Sequence, residues 1–403
     1  MTKELQNILE QQKNKVDEWF DSIFIQTTPF IYNSVDIRRS NYKIAPVDTN
    51  IFPGGFNNLN EEERIKASLV IKEYLHKYYP GSKNILLVAE DHTRNLYYFE
   101  NVAVIKEILE LAGIKVGLSS FGTTKNNSPQ DFESLSGVKL NLKPILREQN
   151  ILKTADFIPD IILINNDLTD SPPELINNIT QPILPPPHFG WHKRRKSEHF
   201  SVYNELAENF CKEFALDPWI ITTIFSTCNL VNFKEQTGLA CLAENVDKTV
   251  DKIREKYKQY QIKEDPYVFI KPNRGTYGMG IMTARHGEDV LNLNKDNRKK
   301  MNAIKGGNLN SEVVIQEGIM TIDQIDGFPA EPMIYVVAGK PIGCIYRINN
   351  KQDALSNLNS SGMHFMSGIL RKNESSLCTT LGFIAKLACY SAAWECYLSS
   401  YQI

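Results

Sequence analysis

Residues 268–282 read VFIKPNRGTYGMGIM. An apolar run ends in Lys271 and leads directly into a loop whose side chains are mostly small or hydroxylated. A buried strand that delivers a lysine beside such a loop suits an anion: backbone N–H groups can surround a phosphate while the lysine adds a point charge. The loop is neither a Walker P-loop nor a dinucleotide fingerprint, because no GK[ST] follows and the strand itself ends in lysine. An ordinary hairpin turn is the competing reading. The rest of the chain decides between them.

The chain has 403 residues, enough for two or three domains with separate cores. Apolar residues make up 42% and charged residues 23%, a globular composition. The formal net charge of -2 gives no broad field for nucleic acid. One local exception is HKRRK at 192–196, which fits a solvated basic turn, a phosphate site or a weak nucleic-acid patch. The first twenty residues read as a polar amphipathic helix without a signal-peptide core, and no run approaches membrane-spanning length without a charge. Seven cysteines with no CxxC spacing suit reduced thiols in a cytoplasmic protein.

Along the first third, EEERIKASLVIKEYLHKYY (61–79) and ENVAVIKEILELAG (100–113) have helical spacing, while NILLVAE (84–90), IKVGLSS (114–120) and DIILINNDLTD (160–170) read as buried strands. This order predicts an α/β domain with a parallel sheet and ligands near the C-terminal strand ends. The prolines of QPILPPPHFGW (181–191) mark a junction, giving domains 1–187 and 188–403. Beyond it lies an α+β region with three strands bearing polar ends: YVFIK, SEVVIQEG and the hairpin EPMIYVVAGKPIGCIYR. The apolar C-terminal stretch 379–401 contains Lys386 and Glu395 and is expected to be a core helix.

Four features stand in order: Lys196 in RRKSEHF, Lys271 with its glycines, the strand ending Gln316-Glu317-Gly318, and the hairpin ending at Arg347 before SNLNSSG. Together they resemble the ATP-grasp fold. More widely, SVDIRRSNYKIAPVDTNIFPGGFNN, AEDHTRNLYYFENVA, PPPHFGWHKRRKSEHF, DPWIITTIF, GTYGMGIMTAR, AEPMIYVV and NLNSSGMHF resemble the proteobacterial ATP-grasp type of glutamate–cysteine ligase, over about residues 30–395. The resemblance implies ATP- and Mg2+-dependent joining of the glutamate γ-carboxylate to the cysteine amine through an acylphosphate, with glutamate, cysteine and ATP as the partners and neither nucleic acid nor membrane. Another ATP-grasp carboxylate–amine ligase, such as a glutathione synthetase, and a catalytically silent nucleotide-binding module are the alternatives.

On this resemblance Lys196, Lys271, Gly275, Thr276, Tyr277, Gly278, Gly280, Gln316, Glu317 and Gly318 would hold ATP, with the acid of Glu317 on the ribose. Lys271 and Arg347 would serve phosphoryl transfer, which needs alignment and charge neutralisation more than covalent chemistry. Arg38, Arg39 and Arg94 are candidates for the substrate carboxylates, because an arginine fork binds a carboxylate bidentately; at least one of the three is expected to be structural. Asn95, Asn357 and Asn359 join them as substrate-side candidates. The usual late metal-binding ExN pair is missing, but Asp48 and Asn50 in VDTN lie two apart on one face of an extended strand. VDTN resembles the ExNT stretch of eukaryotic-type glutathione synthetases, whose fold is circularly permuted. A turn capped by Asp48 is the competing reading. Glu331 is a further metal candidate or a solvent-facing hairpin residue.

Overall fold

The computed structural model describes residues 2–25, 27–91, 95–275, 280–302, 311–367 and 375–400. The chain start, expected as one amphipathic helix, forms two, Thr2–Gln11 and Lys13–Ile23. Helix Glu61–Tyr78 begins at Asn60, whose side chain accepts from the Glu63 N–H while Glu63 accepts from the Asn60 N–H. This reciprocal cap satisfies donors that a helix start leaves open. Helix Leu96–Leu111 stops just before Gly113, which takes the left-handed conformation that lets the chain turn into the next strand.

The expected parallel sheet is present. Its strand order is Ile183–Leu184, Ile161–Asn165, Asn84–Ala89 and Lys115–Ser120, all parallel. Both faces of the Asn84–Ala89 strand are covered: Ile85, Leu87 and Ala89 pack with helices Glu61–Tyr78 and Leu96–Leu111, while Leu86 and Val88 pack into a second cluster with Leu152, Phe189 and Trp191. Burial on both sides is why this strand reads as an unbroken apolar run.

A second sheet is antiparallel and joins the two ends of the chain. Its order is Met363–Ser367, Lys340–Asn349, Phe328–Val337, Tyr32–Arg39 and Ile44–Asn50. The division at residue 187 therefore needs correction, because strands 32–50 pair with 328–337 and belong to the later sheet. Non-local pairing of this kind leaves no local mark in the sequence. One face of the sheet, with Val35, Ile37, Ile334, Val336 and Cys344, packs on the N-terminal helices and on helices Lys196–Glu213 and Ser375–Ser399. The last of these is apolar and long enough to cross a membrane, yet Leu381, Ile384, Ala385, Leu387 and Ala388 are at most 1% exposed in the core. Core packing accounts for its apolarity.

A third sheet, also antiparallel, has the order Phe225–Asn229, Glu312–Glu317, Val268–Pro272 and Met282–Ala284. Helix Leu239–Gln259 covers one of its faces through Leu242, Val246, Val250 and Ile253. The other face looks towards the second sheet.

Candidate active site

Strand alternation builds the site. On the second sheet the face opposite the helices is apolar at one end, with Tyr32, Tyr335, Val337 and Ile345 packed on the parallel-sheet lobe. Two residues per step along the same face, it turns polar: Asp36 and Arg38 follow on one strand, Glu331 and Arg347 on the next two. Across from this polar end, the third sheet presents Phe269, Lys271 and Gln316, and these groups together with Asp48, Lys196, Gly275, Asn357 and Asn359 line one cleft.

Lys271 and Lys196 converge there from different elements. Lys271 Nζ donates to the Val47 carbonyl at 2.7 Å, and Lys196 Nζ lies 2.9 Å from Asp48 Oδ1 and 4.2 Å from the centre of the Trp191 ring. Lys196 opens helix Lys196–Glu213, whose first turn is capped from the Gly-rich segment: the Asn273 carbonyl accepts from the Lys196 N–H, and Asn273 Oδ1 accepts from the Ser197 N–H. One asparagine thus ties the two lysine-bearing elements together. Burial pushes the Lys271 ammonium down to about 7 against the pull of Asp48. Burial would raise Asp48, but Lys196, Lys271 and Arg194 outweigh it and hold the carboxyl at about 2. Asp48 is therefore a fixed anion, its side chain 38% exposed to the cleft.

Beside it runs a buried row of alternating charges. Arg347 Nη1 donates to Asp36 Oδ2 at 2.7 Å and to Glu331 Oε1 at 2.6 Å, while Arg38 Nε donates to Glu331 Oε2 at 2.9 Å. Arg38 also holds the carbonyls of Ile319 and Ser356, which fixes the chain leading to Asn357. Burial opposes the charge on Arg347, but Asp36 and Glu331 more than restore it. Burial raises Asp36 above the ordinary carboxylate range despite Arg347. Two donors on residues that line this cleft, Arg347 Nε and Gln316 Nε2, are buried without a protein partner among the described residues. Unpaired buried donors are costly and are commonly completed by a ligand or water.

Several expected site residues lie elsewhere. Glu317 is next to Gln316 and so points to the opposite face, where Lys43 Nζ at 2.5 Å, Trp219 Nε1 at 3.0 Å and the Ile224 N–H at 3.0 Å occupy its carboxylate. It is 1% exposed, which rules out the ribose role given to it above. Gly318 packs under the Tyr267 ring, where a Cβ would collide. Arg39 is paired with Asp323, away from the cleft. Asn50 bonds to Phe52 through both its oxygen and its nitrogen, forming a turn instead of facing the cleft. Asn95 caps helix Leu96–Leu111. Both oxygens of Glu331 are held by arginines, so it is neither a free metal ligand nor solvent-facing. Gly280 is described but lies outside the cleft lining. Thr276, Tyr277, Gly278 and Arg94 lie outside the described residues.

Other residues went unread in the sequence. Asp36 faces Asp48 directly across the strand pair; its position two before Arg38 was the available signal. Asn273, and the buried group of Arg194, His199 and Glu395 behind Asp48, gave no such signal because their partners are distant in sequence.

Among the described residues no group of three or more His, Cys, Asp or Glu side chains forms a metal cluster. Asp36 and Asp48 nevertheless each keep one oxygen without a protein partner among the described residues, on facing strands. The arrangement can therefore receive an anion on two lysines and an arginine, with a hard cation between two carboxylates.

The sequence model of one family, described as glutamate-cysteine ligase, matches residues 6–396. No curated protein sequence matches the chain. Among solved structures, one from Methylobacillus flagellatus KT, provisionally named a gamma-glutamylcysteine synthetase, is 34% identical, with a TM-score of 0.90 over 98% of this chain and 96% of that one. A glutathione synthetase-like effector from Globodera pallida is 12% identical, with a TM-score of 0.41 over 90% and 82% of the two chains. D-alanyl-alanine synthetase A from Vibrio cholerae is also 12% identical, with a TM-score of 0.34 over 76% and 80%.

Proposed function

Because the chain belongs to the glutamate-cysteine ligase family, an ATP-dependent ligase acting in glutathione biosynthesis, we propose that the cleft between its two antiparallel sheets is where the glutamate γ-carboxylate is phosphorylated and then joined to the cysteine amine. The observation that carries this reading is the convergence of Lys196 and Lys271, from separate elements, beside Asp48 and the Arg38–Glu331–Arg347–Asp36 row.

Phosphoryl transfer asks the protein to align reactants and neutralise charge. Lys196 and Lys271 would take the phosphates, with the backbone of Gly275 at the cleft wall. Gln316 would offer its unpaired Nε2 to the nucleotide. Arg347, held in orientation by Asp36 and Glu331, would stabilise the transferring phosphoryl group. Arg38, Asn357 and Asn359 would line the glutamate side. The row also excludes bulk water, since Arg38, Glu331 and Arg347 are at most 6% exposed.

The residues present fit Mg2+. Asp48 and Asp36 face one another with an oxygen each to offer, and their mutual repulsion contributes to the raised pKa of Asp36; a hard cation that keeps several waters suits two carboxylates. When bound, the ion would draw charge from the phosphate oxygens. We further propose a permuted ATP-grasp arrangement, in which strands 32–50 complete the sheet formed by 328–367 and the nucleotide region comprises 32–50 with 188–400. The pairing of Tyr32–Arg39 with Phe328–Val337 supports it.

The test is ADP release by the purified chain with ATP and Mg2+. Release is expected only when glutamate is present, with full turnover on adding cysteine, and Asp48→Asn should raise the Mg2+ required. Equal release with unrelated carboxylate–amine pairs, or an unchanged Mg2+ requirement, would contradict the assignment.

A further inference from the structure

We propose that Glu395, on the C-terminal helix, is a positioning residue that keeps Asp48 and Lys196 in register for the metal and the phosphates. The inference rests on the role given above to Asp48. Glu395 is 5% exposed, and its carboxylate accepts from Arg194 Nε at 3.3 Å and Nη2 at 3.2 Å and lies 3.1 Å from His199 Nδ1. Arg194 and His199 stand on either side of Lys196 in the sequence and grip the residue that follows Asp48: Arg194 Nη1 donates to the Thr49 carbonyl at 2.6 Å, and His199 Nε2 lies 2.9 Å from Thr49 Oγ1. Arg194, His199 and Thr49 are each at most 2% exposed. Thr49 is thus held from two directions, and a single carboxylate orients both groups that hold it.

The charge arithmetic gives this frame a specific consequence. Arg194 already acts on Asp48 through space. Without Glu395 its buried guanidinium has lost its counter-charge, and Asp48, on which it already acts, is an anion able to supply one. Arg194 would then compete with Lys196 and with the cation for the same carboxylate. A residue that only stabilised the core would have no reason to act on metal affinity.

The experiment measures Mn2+ binding to the full-length protein by electron paramagnetic resonance of the free ion, alongside ADP release as a function of Mg2+. Glu395→Gln should weaken Mn2+ binding and raise the half-saturating Mg2+ by roughly tenfold or more, as supporting residues of metal sites commonly do, with the KM for cysteine unchanged. A single variant with native Mn2+ affinity would overturn the proposal. If Glu395→Gln does not fold, Thr49→Val, which removes only the hydroxyl held by His199, should still weaken Mn2+ binding; native affinity there would also overturn it. Asp48→Asn separates the two claims: if it leaves Mn2+ binding intact, the metal site itself is wrong, whereas a loss there with no loss in Glu395→Gln refutes only the positioning role.

Discussion

Replacing Glu317 with Gln should unfold the protein more easily and leave nucleotide affinity nearly untouched. Lys43 is 0% exposed and Glu317 1%, with 2.5 Å between Nζ and Oε2, and Glu317 also receives the Trp219 and Ile224 N–H groups. An amide at this point has one acceptor where the carboxylate had two, and its NH2 faces existing donors. Breaking a buried pair by removing one partner costs about 3–5 kcal/mol. At roughly 2.1 cal/mol/K of unfolding entropy per residue, a cooperative 403-residue unit would lose about 4–6 °C in Tm. The loss should depend on pH. In the variant, folded Lys43 can shed its proton while the unfolded chain keeps it, so the unfolded state binds more protons and the variant's stability rises with pH. In the native protein, burial holds Lys43 down at about 8 against the pull of Glu317, so it gains nothing comparable below that pH. The Tm deficit should therefore shrink between pH 6 and 8. Scanning calorimetry at both values checks this, together with the KM for ATP. A variant with native Tm and a KM for ATP raised tenfold or more would return Glu317 to the ribose.

Other outcomes follow from the same geometry. Lys271→Met should lower nucleotide affinity and kcat together, by about tenfold or more each, with Tm little changed, since Lys271 donates one hydrogen bond to Val47 and packs on the cleft side; titration calorimetry and steady-state kinetics measure both. Because burial sets Lys271 at about 7, it is largely neutral at pH 8, and an arriving phosphate would re-protonate it; nucleotide binding at pH 8 should take up a proton, visible as a buffer-dependent binding enthalpy that Lys271→Met removes. Arg347→Lys should lower kcat strongly, because a lysine lacks the Nε–H and the planar guanidinium that Asp36 and Glu331 hold in orientation; a kinetic assay with KM near native is the expected result. Gly318→Ala should cost about 1–3 kcal/mol through collision with the Tyr267 ring, read as a lower Tm.

What the sequence revealed and what it hid follow from range. The parallel sheet was legible because Ile85 to Val88 are buried on both faces and form an apolar run. Lys271 was legible because a charged residue ends such a run. The assignment of Glu317 failed on a rule the sequence did contain: adjacent strand residues face opposite ways, so Gln316 in the cleft excludes its neighbour. The same rule places Asp36 with Arg38 and separates Arg39 from both. Contacts such as Lys271 with Val47 or Arg194 with Glu395 span about two hundred residues, and no local pattern encodes them. Asn50 looked like a metal ligand because a carboxamide that folds back on its own backbone reads identically in sequence to one that does not.

A crystal structure with glutamate, Mg2+ and a non-hydrolysable ATP analogue would show where the triphosphate binds. Phosphate oxygens should lie within hydrogen-bonding distance of both Lys196 Nζ and Lys271 Nζ, with the ion on Asp48. A triphosphate bound instead at the C-terminal ends of the parallel strands, near Glu90 and Asn165, would contradict that location.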